Sequence, residues 1–222
     1  MPQPRLLIIG SGGHARSVLE VARAASVGEI LGLLDRFREA GSERLGYRVL
    51  GGEADAARLA AECGVWGVAF GIGDNWGRAG SLRLLREAWP EAALPVLVHP
   101  FSSVAEDAEM GEGTVVMPGA VVRSGARIGR CALLNTGCSV DHDSVMGDFA
   151  SLAPGARVGG GVRIGSYSAI GLGASVIHNV SIGEHVVVGA GAVVLKDLPD
   201  AVVAYGTPAR VVRQRQAGEA YL

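Results

Sequence analysis

The sequence lacks several features that would place it in a specialised class of protein. It has three cysteines, Cys63, Cys131 and Cys138, and no CxxC spacing among them, which argues against a disulfide framework and a structural zinc site. Aromatic residues make up 5% of the chain, and the formal net charge is −2, so no basic surface for nucleic acid or anionic lipid is indicated. The apolar run at residues 6–9 is too short for a signal peptide or a membrane span. We therefore expect a cytoplasmic globular protein.

Residues 1–99 alternate between short apolar runs and segments with helical spacing. The runs at 6–9, 30–34, 48–50, 68–71 and 95–98 predict strands, and the segments at 15–25, 53–62 and 78–89 predict helices. Strands that alternate with helices are typical of a parallel, doubly wound α/β sheet. The first predicted domain is therefore Rossmann-like.

A glycine-rich turn joins the first predicted strand to the first predicted helix. Gly10-x-Gly12-x-x-Ala15 fits the fingerprint of a phosphate-binding turn, and Asp35 follows about 20 residues later. Without side chains, such a turn lets a phosphate approach the backbone N–H groups at the helix N-terminus. The length of the unit suits a mononucleotide-binding half. A tight turn without a ligand, or an NAD-dependent oxidoreductase, also fits this motif.

Glycine is abundant, at 34 residues, and in the second half of the chain it is periodic. In steps of six from Val104 to Val194, sixteen consecutive positions are aliphatic or Met. Glycine often follows this first position, and the fifth position is mostly Ala, Ser, Thr or Cys. The aliphatic positions are Val104, Met110, Val116, Val122, Ile128, Leu134, Val140, Met146, Leu152, Val158, Ile164, Ile170, Val176, Ile182, Val188 and Val194.

This six-residue period predicts a parallel β-helix with a triangular cross-section. The first-position side chains point inward, the small fifth residue fills the corner, and the second-position glycine relieves the turn. Three hexads form one coil, so residues 18 apart stack at the spacing of strands in a sheet, about 4.8 Å. We expect the β-helix over residues 100–200, followed by a C-terminal tail at 201–222.

Two histidines fall at the third position of their hexads, which points outward. His142 and His178 lie 36 residues apart on one edge of the prism, with Gly160 between them. Asp143 follows His142, and a carboxylate beside an imidazole favours a general base. An exposed Gly160 N–H on the same edge could face a thioester carbonyl. His185, at a fourth position, is expected on the surface.

The combined motifs resemble a known enzyme family. The order Gly10-Ser-Gly-Gly-His-Ala-Arg16, then Leu33-Leu-Asp35, then the hexads, then Tyr205-Gly-Thr-Pro-Ala-Arg210 is similar to that of the bacterial nucleotide-aminosugar N-acetyltransferases and their sialic acid O-acetyltransferase relatives. The resemblance implies a left-handed β-helix and a homotrimer. It also implies active sites between adjacent β-helices, with acetyl-CoA along the groove and no metal.

The resemblance also implies roles for individual residues. His142, within the segment Asn135 to Asp143, would be the catalytic base, and Asp143 stands where the family usually has Glu. Gly12, Gly13 and His14 would lie near the phosphates or the sugar, and Arg16 stands in place of the usual Lys. Asp35 would contact the nucleoside, for which uridine is preferred although Arg36 occupies the place of a second acid. Asn75 and Asn135 complete the substrate-binding residues, and Gly160, His178 and Ala190 the acetyl-CoA-binding residues.

The resulting hypothesis is direct acetyl transfer to the amino group of a nucleotide-linked 4-amino sugar. Cys138 could instead carry the acyl group, but a small inward residue is required at its position, which favours a structural role. O-acetylation of a sialic acid stays open. A zinc hydratase of the same fold would need a third histidine near His142 and His178, and a noncatalytic scaffold is the remaining alternative.

Overall fold

The protein, described here over residues 4–221 by a computed structural model, begins with a five-stranded α/β sheet. Its elements are β1 (Arg5–Ile9), α1 (Gly13–Ala24), β2 (Glu29–Leu34), β3 (Glu43–Arg44), β4 (Tyr47–Gly51), α2 (Ala56–Cys63), β5 (Val65–Phe70) and α3 (Asn75–Ala88). The strands lie in the order β3-β4-β2-β1-β5, parallel except for the β3–β4 hairpin. The helices connect the strands, and a 3₁₀ turn at Glu53–Asp55 precedes α2.

The rest of the chain winds into a left-handed parallel β-helix with three flat faces, as predicted. Face 1 contains β7 (Ser103–Val104), β10 (Val121–Val122), β13 (Ser139–Val140), β16 (Arg157–Val158), β19 (Ser175–Val176) and β22 (Val193–Val194). Face 2 contains β8 (Glu109–Met110), β11 (Arg127–Ile128), β14 (Val145–Met146), β17 (Arg163–Ile164) and β20 (Ser181–Ile182). Face 3 contains β6 (Leu97–Val98), β9 (Val115–Val116), β12 (Leu133–Leu134), β15 (Ser151–Leu152), β18 (Ala169–Ile170), β21 (Val187–Val188), β23 (Val202–Gly206) and β24 (Ala209–Gln214).

The strand expected at residues 95–98 does not join the α/β sheet. It is β6, which pairs with β9 of face 3. The reason is visible in the period, because Val98 lies one six-residue step before Val104 and already faces the β-helix core. The β-helix therefore begins at Leu97.

The core of the β-helix is a column of first-position aliphatic and fifth-position small side chains. Polar residues are tolerated at the fifth position when they bond to the neighbouring backbone. The Ser144 hydroxyl donates to the Gly159 carbonyl oxygen over 2.9 Å and accepts from the Val162 N–H over 3.2 Å. Such buried hydroxyls satisfy their own hydrogen-bonding needs as well as those of the corner.

The glycines of the second position do not relieve the turns, contrary to the expectation. Positive φ angles occur at the fourth position, for example +59° at Asp143 and +65° at Gly137. A Cβ atom on the second-position Gly147 would instead lie 2.5 Å from the Ser166 backbone nitrogen of the next coil. These glycines are needed because successive coils approach one another closely there.

The three edges between the faces differ in composition. The His142 edge, between faces 1 and 2, carries His142, Asp143, Gly160 and His178. The aromatic edge, between faces 2 and 3, carries Phe149, Tyr167 and His185. The Asn135 edge, between faces 3 and 1, carries Asn135, Gly173 and Ala190.

His185 was expected on the surface, but its side chain is half-buried. Its ring stacks on Tyr167 with 4.7 Å between centroids, and Tyr167 in turn stacks on Phe149. Trp76 of α3 packs against the same edge. The aromatic edge is therefore part of the joint between the two domains.

The α/β domain also covers the first coils of face 3. Outward residues Val115 and Leu133 belong to the same buried cluster as Val18 and Leu19 of α1. Within residues 4–221, no helix has the length and hydropathy needed to cross a membrane. The later coils of face 3 remain open beside the α/β domain.

Candidate active site

The glycine turn after β1 forms one wall of a cavity of about 400 Å³. Gly10 has a φ of +104°, whereas Gly12 and Gly13 face open space. Gly12 caps α1 without a side-chain hydrogen bond, so the first N–H groups of the helix are available to an anion. Asp35 accepts a hydrogen bond from the Ser11 hydroxyl over 2.5 Å. The turn is therefore suited to a phosphate group.

A second cavity of about 380 Å³ lies between the α/β domain and the later coils of face 3. Asn135, Ser151, Ala190 and Tyr221 are among its lining residues, and most of its surface is apolar. His14 and Gly73 line both cavities. A ligand with its phosphates at the glycine turn can thus extend past these residues into the second cavity.

His14, at the junction of the two cavities, is held in its neutral form. Burial lowers the pKa of its imidazole to about 4, and the charge of Arg78 acts in the same direction. In the part of the chain that the structure describes, its Nε2 is a buried polar atom without a hydrogen-bond partner. Buried polar atoms normally have partners, so this nitrogen is left unsatisfied in the folded protein.

The His142 imidazole is exposed and is oriented by its neighbour. Its Nδ1 lies 2.9 Å from Oδ2 of Asp143, so the shorter aspartate arm reaches the ring. The hydrogen bond to Asp143 raises the pKa of His142, and the charge of Asp141 adds to this effect. With the Nδ1 proton held by the carboxylate, Nε2 is left free to accept a proton.

Gly160 lies directly under the His142 ring. A Cβ atom on Gly160 would be 2.6 Å from both Cε1 and Nε2 of His142. Gly160 is buried beneath the ring, so the expectation that its N–H is exposed is wrong. The glycine instead leaves the room that the imidazole occupies.

The expected site residues fall into separate groups in one chain. Gly12, Gly13 and Asp35 line the first cavity, and Asn135 and Ala190 line the second. The remaining group, formed by His142, Asp143, Gly160 and the exposed His178, lies on the His142 edge and lines neither cavity. Because the edges of the prism point in different directions, one chain does not bring His142 to the cavities.

Two expected nucleotide-binding residues lie elsewhere. The Asn75 side chain is buried and donates to the carbonyl oxygens of Tyr167 and Ser168 over 3.2 Å. Its amide N–H groups therefore bind the β-helix and are not available to a nucleotide. Arg16 is exposed on α1 and lines neither cavity. Asn75, which a sequence motif had pointed to as nucleotide-binding, thus makes its contacts within the protein.

Other residues reach the cavities without having been expected. Glu53 and Ser81 line the first cavity, and Glu53 follows the carboxyl end of β4, where ligands of parallel sheets are bound. The position of Glu53 after a predicted strand could therefore have identified it from the sequence. Tyr221 accepts a hydrogen bond from the Asn75 N–H across 146 residues of sequence, and no local pattern announces it.

The cysteine and metal alternatives can be examined directly. Cys138 is fully buried, and burial raises the pKa of its thiol to about 12, so it lacks the thiolate character of a nucleophile. Among residues 4–221, no three side chains of His, Cys, Asp or Glu lie close enough together to hold a metal ion.

Comparison with known proteins gives consistent results. Residues 5–83 match the family described as the PglD N-terminal domain. A search of curated proteins found no match, whereas solved structures match over nearly the whole chain. GDP-perosamine N-acetyltransferase from Caulobacter crescentus, solved with CoA and GDP-perosamine, shares 36% identity with a TM-score of 0.87, over 94% of this chain and 97% of that one.

Two further solved structures also match over nearly the whole chain. The acetyltransferase domain of PglB from Neisseria gonorrhoeae shares 31% identity and a TM-score of 0.82, over 94% of this chain and 99% of the domain. WeeI from Acinetobacter baumannii shares 26% identity and a TM-score of 0.84, over 93% and 99% of the two chains. The chain therefore belongs to the family of hexapeptide-repeat sugar N-acetyltransferases.

Proposed function

We propose that this protein transfers the acetyl group of acetyl-CoA to the 4-amino group of a nucleotide-linked sugar, with His142 as general base. The observation that carries the proposal is the arrangement of His142, whose Nδ1 is held by Asp143 while its Nε2 is free above Gly160. A nucleotide-sugar substrate is supported by the phosphate-suited turn and by the GDP-perosamine complex of the Caulobacter relative. Acetyl-CoA is supported by the complex of the Neisseria domain.

The reaction needs a proton acceptor at the amine. In the proposed step, the sugar nitrogen attacks the thioester carbon while Nε2 of His142 removes a proton from that nitrogen. The C–S bond then breaks, and the CoA sulfur leaves as a thiol after it receives the proton. The imidazolium formed in between is stabilised by the Asp143 carboxylate.

The site requires a second subunit. His142 lies on one edge of the β-helix and the second cavity opens beside another, so we place them together between neighbouring subunits of a homotrimer. Apolar side chains support such contacts, since Leu172 on the Asn135 edge is 58% exposed and Ile177 on the His142 edge is 38% exposed. A cyclic trimer would bring these two edges of adjacent copies together three times. The acetyl-CoA would then lie in the groove between His178 of one edge and Ala190 of the other, beside the substrate.

The activity is tested by incubating the protein with acetyl-CoA and a panel of nucleotide-linked 4-amino sugars, with mass spectrometry of the products. We expect a gain of one acetyl group, and the rate with His142→Ala to fall by about 10²- to 10⁴-fold, the usual contribution of a general base. An acetylation rate unchanged by His142→Ala would overturn the proposed base, and failure to acetylate any amino sugar would overturn the substrate class.

The shared site is tested by mixing two inactive variants. His142→Ala removes the base, and Gly12→Asp places a negative charge at the phosphate position while providing a favourable helix N-cap. If each site takes its base from one subunit and its nucleotide cavity from the next, trimers refolded from an equal mixture recover about one quarter of the wild-type sites. If both halves of the site belonged to one chain, every chain would carry a defect and mixing would restore nothing.

A further inference from the structure

The strand order determines which end of the first cavity can hold the sugar of a nucleotide sugar and which end can hold the base. At the carboxyl edge of the sheet, the glycine turn after β1 lies between Asp35, which follows β2, and Gly73, beyond β5. Gly73 and His14 lead to the second cavity. A nucleotide sugar with its phosphates at the glycine turn and its sugar toward Gly73 must therefore place its ribose at Asp35 and its base beyond, at the end of β4.

This end of the cavity is formed by four side chains, those of Arg36, Phe37, Glu53 and Ser81. Gly52 makes room for them, because a Cβ atom on Gly52 would lie 3.2 Å from Cβ of Arg36. Oε1 of Glu53 accepts hydrogen bonds from Arg36 and from the Ser81 hydroxyl. The ring of Phe37 is 79% exposed, and the Arg36 guanidinium lies 4.6 Å from its centroid. All four of these side chains line the cavity.

Glu53 and Arg36 each keep hydrogen-bonding groups that are free to contact a ligand in the cavity. Glu53 is 3% exposed, and within the described residues its Oε2 receives no hydrogen bond, although it is not sealed off as His14 Nε2 is. Toward residues 4–221, Arg36 donates through Nη1 alone, to Glu53 and Ser81, so the N–H groups of Nη2 are available to a ligand. The cavity thus offers a carboxylate acceptor beside a guanidinium donor, next to an aromatic face.

We infer that this end of the cavity selects guanine, so that the sugar substrate is carried by a guanosine diphosphate; the inference rests on the proposed function. Guanine presents two donors, N1–H and the N2 amine, beside the acceptors O6 and N7. Glu53 accepts from the donors, Arg36 donates to the acceptors, and Phe37 stacks on the ring. Uracil has a single N–H between two carbonyl oxygens, and one of these would face the Glu53 carboxylate.

The experiment is calorimetric titration with GDP, UDP, ADP and inosine diphosphate, which lacks only the N2 amine of GDP. We expect the intact protein to bind GDP at least about 10-fold more tightly than each of the others, as expected for loss of a charge-assisted hydrogen bond. In Glu53→Gln the amide keeps one oxygen for Arg36 and Ser81, and the preference for GDP over inosine diphosphate should disappear. Phe37→Ala should weaken all four ligands alike, because stacking does not discriminate between bases.

The matched control is Glu62→Gln, at an exposed acid of α2 that pairs with Arg58, and it should bind like the wild type. Thermal melting of each variant checks that it is folded. UDP binding as tightly as GDP, a GDP preference retained in Glu53→Gln, or no binding of any diphosphate would overturn the inference. Acetylation of a uridine-linked amino sugar in such a case would leave the proposed function standing, so the two failures are distinguishable.

Discussion

Gly160 and His142 are matched in shape, since the imidazole occupies the space that a Cβ atom on residue 160 would fill. The two residues lie 18 apart and therefore stack in adjacent coils of the same edge. Any larger residue at position 160 must push the ring away, because the hypothetical Cβ would lie 2.6 Å from Nε2. The backbone of one coil thus fixes the position of a side chain in the coil before it.

Gly160→Ala should therefore inactivate the enzyme without unfolding it. The displaced ring loses its alignment with Asp143 and with the substrate, and kcat should fall by about 10²-fold, as for a misplacement of about 1 Å. The control is Gly80→Ala in the interior of α3, where a Cβ atom meets open space. That variant should keep full activity and gain about 1 kcal/mol of unfolding free energy. A fully active Gly160→Ala enzyme would show that the ring position is unimportant.

Asp143→Asn should move the acidic limb of the pH profile. As the proposed base, His142 must be neutral, and its hydrogen bond to Asp143 raises its pKa, so kcat/KM should decline at a higher pH than for an ordinary histidine. Removing the carboxylate lowers the pKa and shifts this decline to lower pH, while the plateau falls by about 10-fold because the ring loses its orientation. Asparagine tolerates the positive φ at this position, so the fold should be unaffected.

The measurement is kcat/KM from pH 5 to pH 9. Asp141→Asn is the matched comparison, because Asp141 contributes to the raised pKa less than Asp143 does, and it should shift the limb in the same direction by less. An acidic limb that stays in place in Asp143→Asn would mean that a group other than His142 controls the profile.

The six-residue period made most of the β-helix predictable, because every coil buries the same positions. The turn position was harder to identify, because glycine is frequent at both the second and fourth positions while Asp143 and Tyr167 also adopt positive φ. The pair His142–Asp143 could be predicted from adjacency. The role of Asn75 could not be predicted, since a motif match does not reveal which way a side chain faces. The contact of Tyr221 with Asn75 could not be predicted either, because the two residues belong to distant parts of the sequence.

Arg78 joins the two domains through a buried guanidinium. Its nitrogens donate to the carbonyl oxygens of Cys131 and Phe149 on the β-helix and to those of Ile72 and Gly73 on the α/β domain. The side chain is fully buried, and burial lowers its pKa to about 10, which still leaves it charged at neutral pH. The joint therefore depends on one residue that satisfies several buried acceptors.

Arg78→Met should lower the free energy of unfolding by about 3 kcal/mol or more, because it leaves several buried carbonyl groups without donors. Calorimetry should show either a lower melting temperature or separate transitions for the two domains. Arg83→Met, at an exposed arginine of the same helix, is the control and should change the unfolding free energy by about 0.5 kcal/mol or less. Equal stability of the two variants would refute the role of Arg78 in the joint.

His14 should make the protein sensitive to acid. Its pKa is about 4 in the folded chain, compared with the ordinary 6.5, so between these values the unfolded chain binds a proton that the folded chain does not. Stability from this residue is complete above about pH 6.5 and is lost as pH falls toward 4. Between pH 7 and pH 5 the loss should be about 2 kcal/mol.

Urea unfolding of the wild type and of His14→Gln at pH 7 and pH 5 measures this contribution, since glutamine does not titrate. The variant should lose about 2 kcal/mol less than the wild type over that range, while His178→Gln, at an exposed position, should behave like the wild type. If His14→Gln lost as much stability on acidification as the wild type, the imidazole would have to be accessible to protons in the folded state. In that case His14 would not be held in its neutral form at the junction of the two cavities.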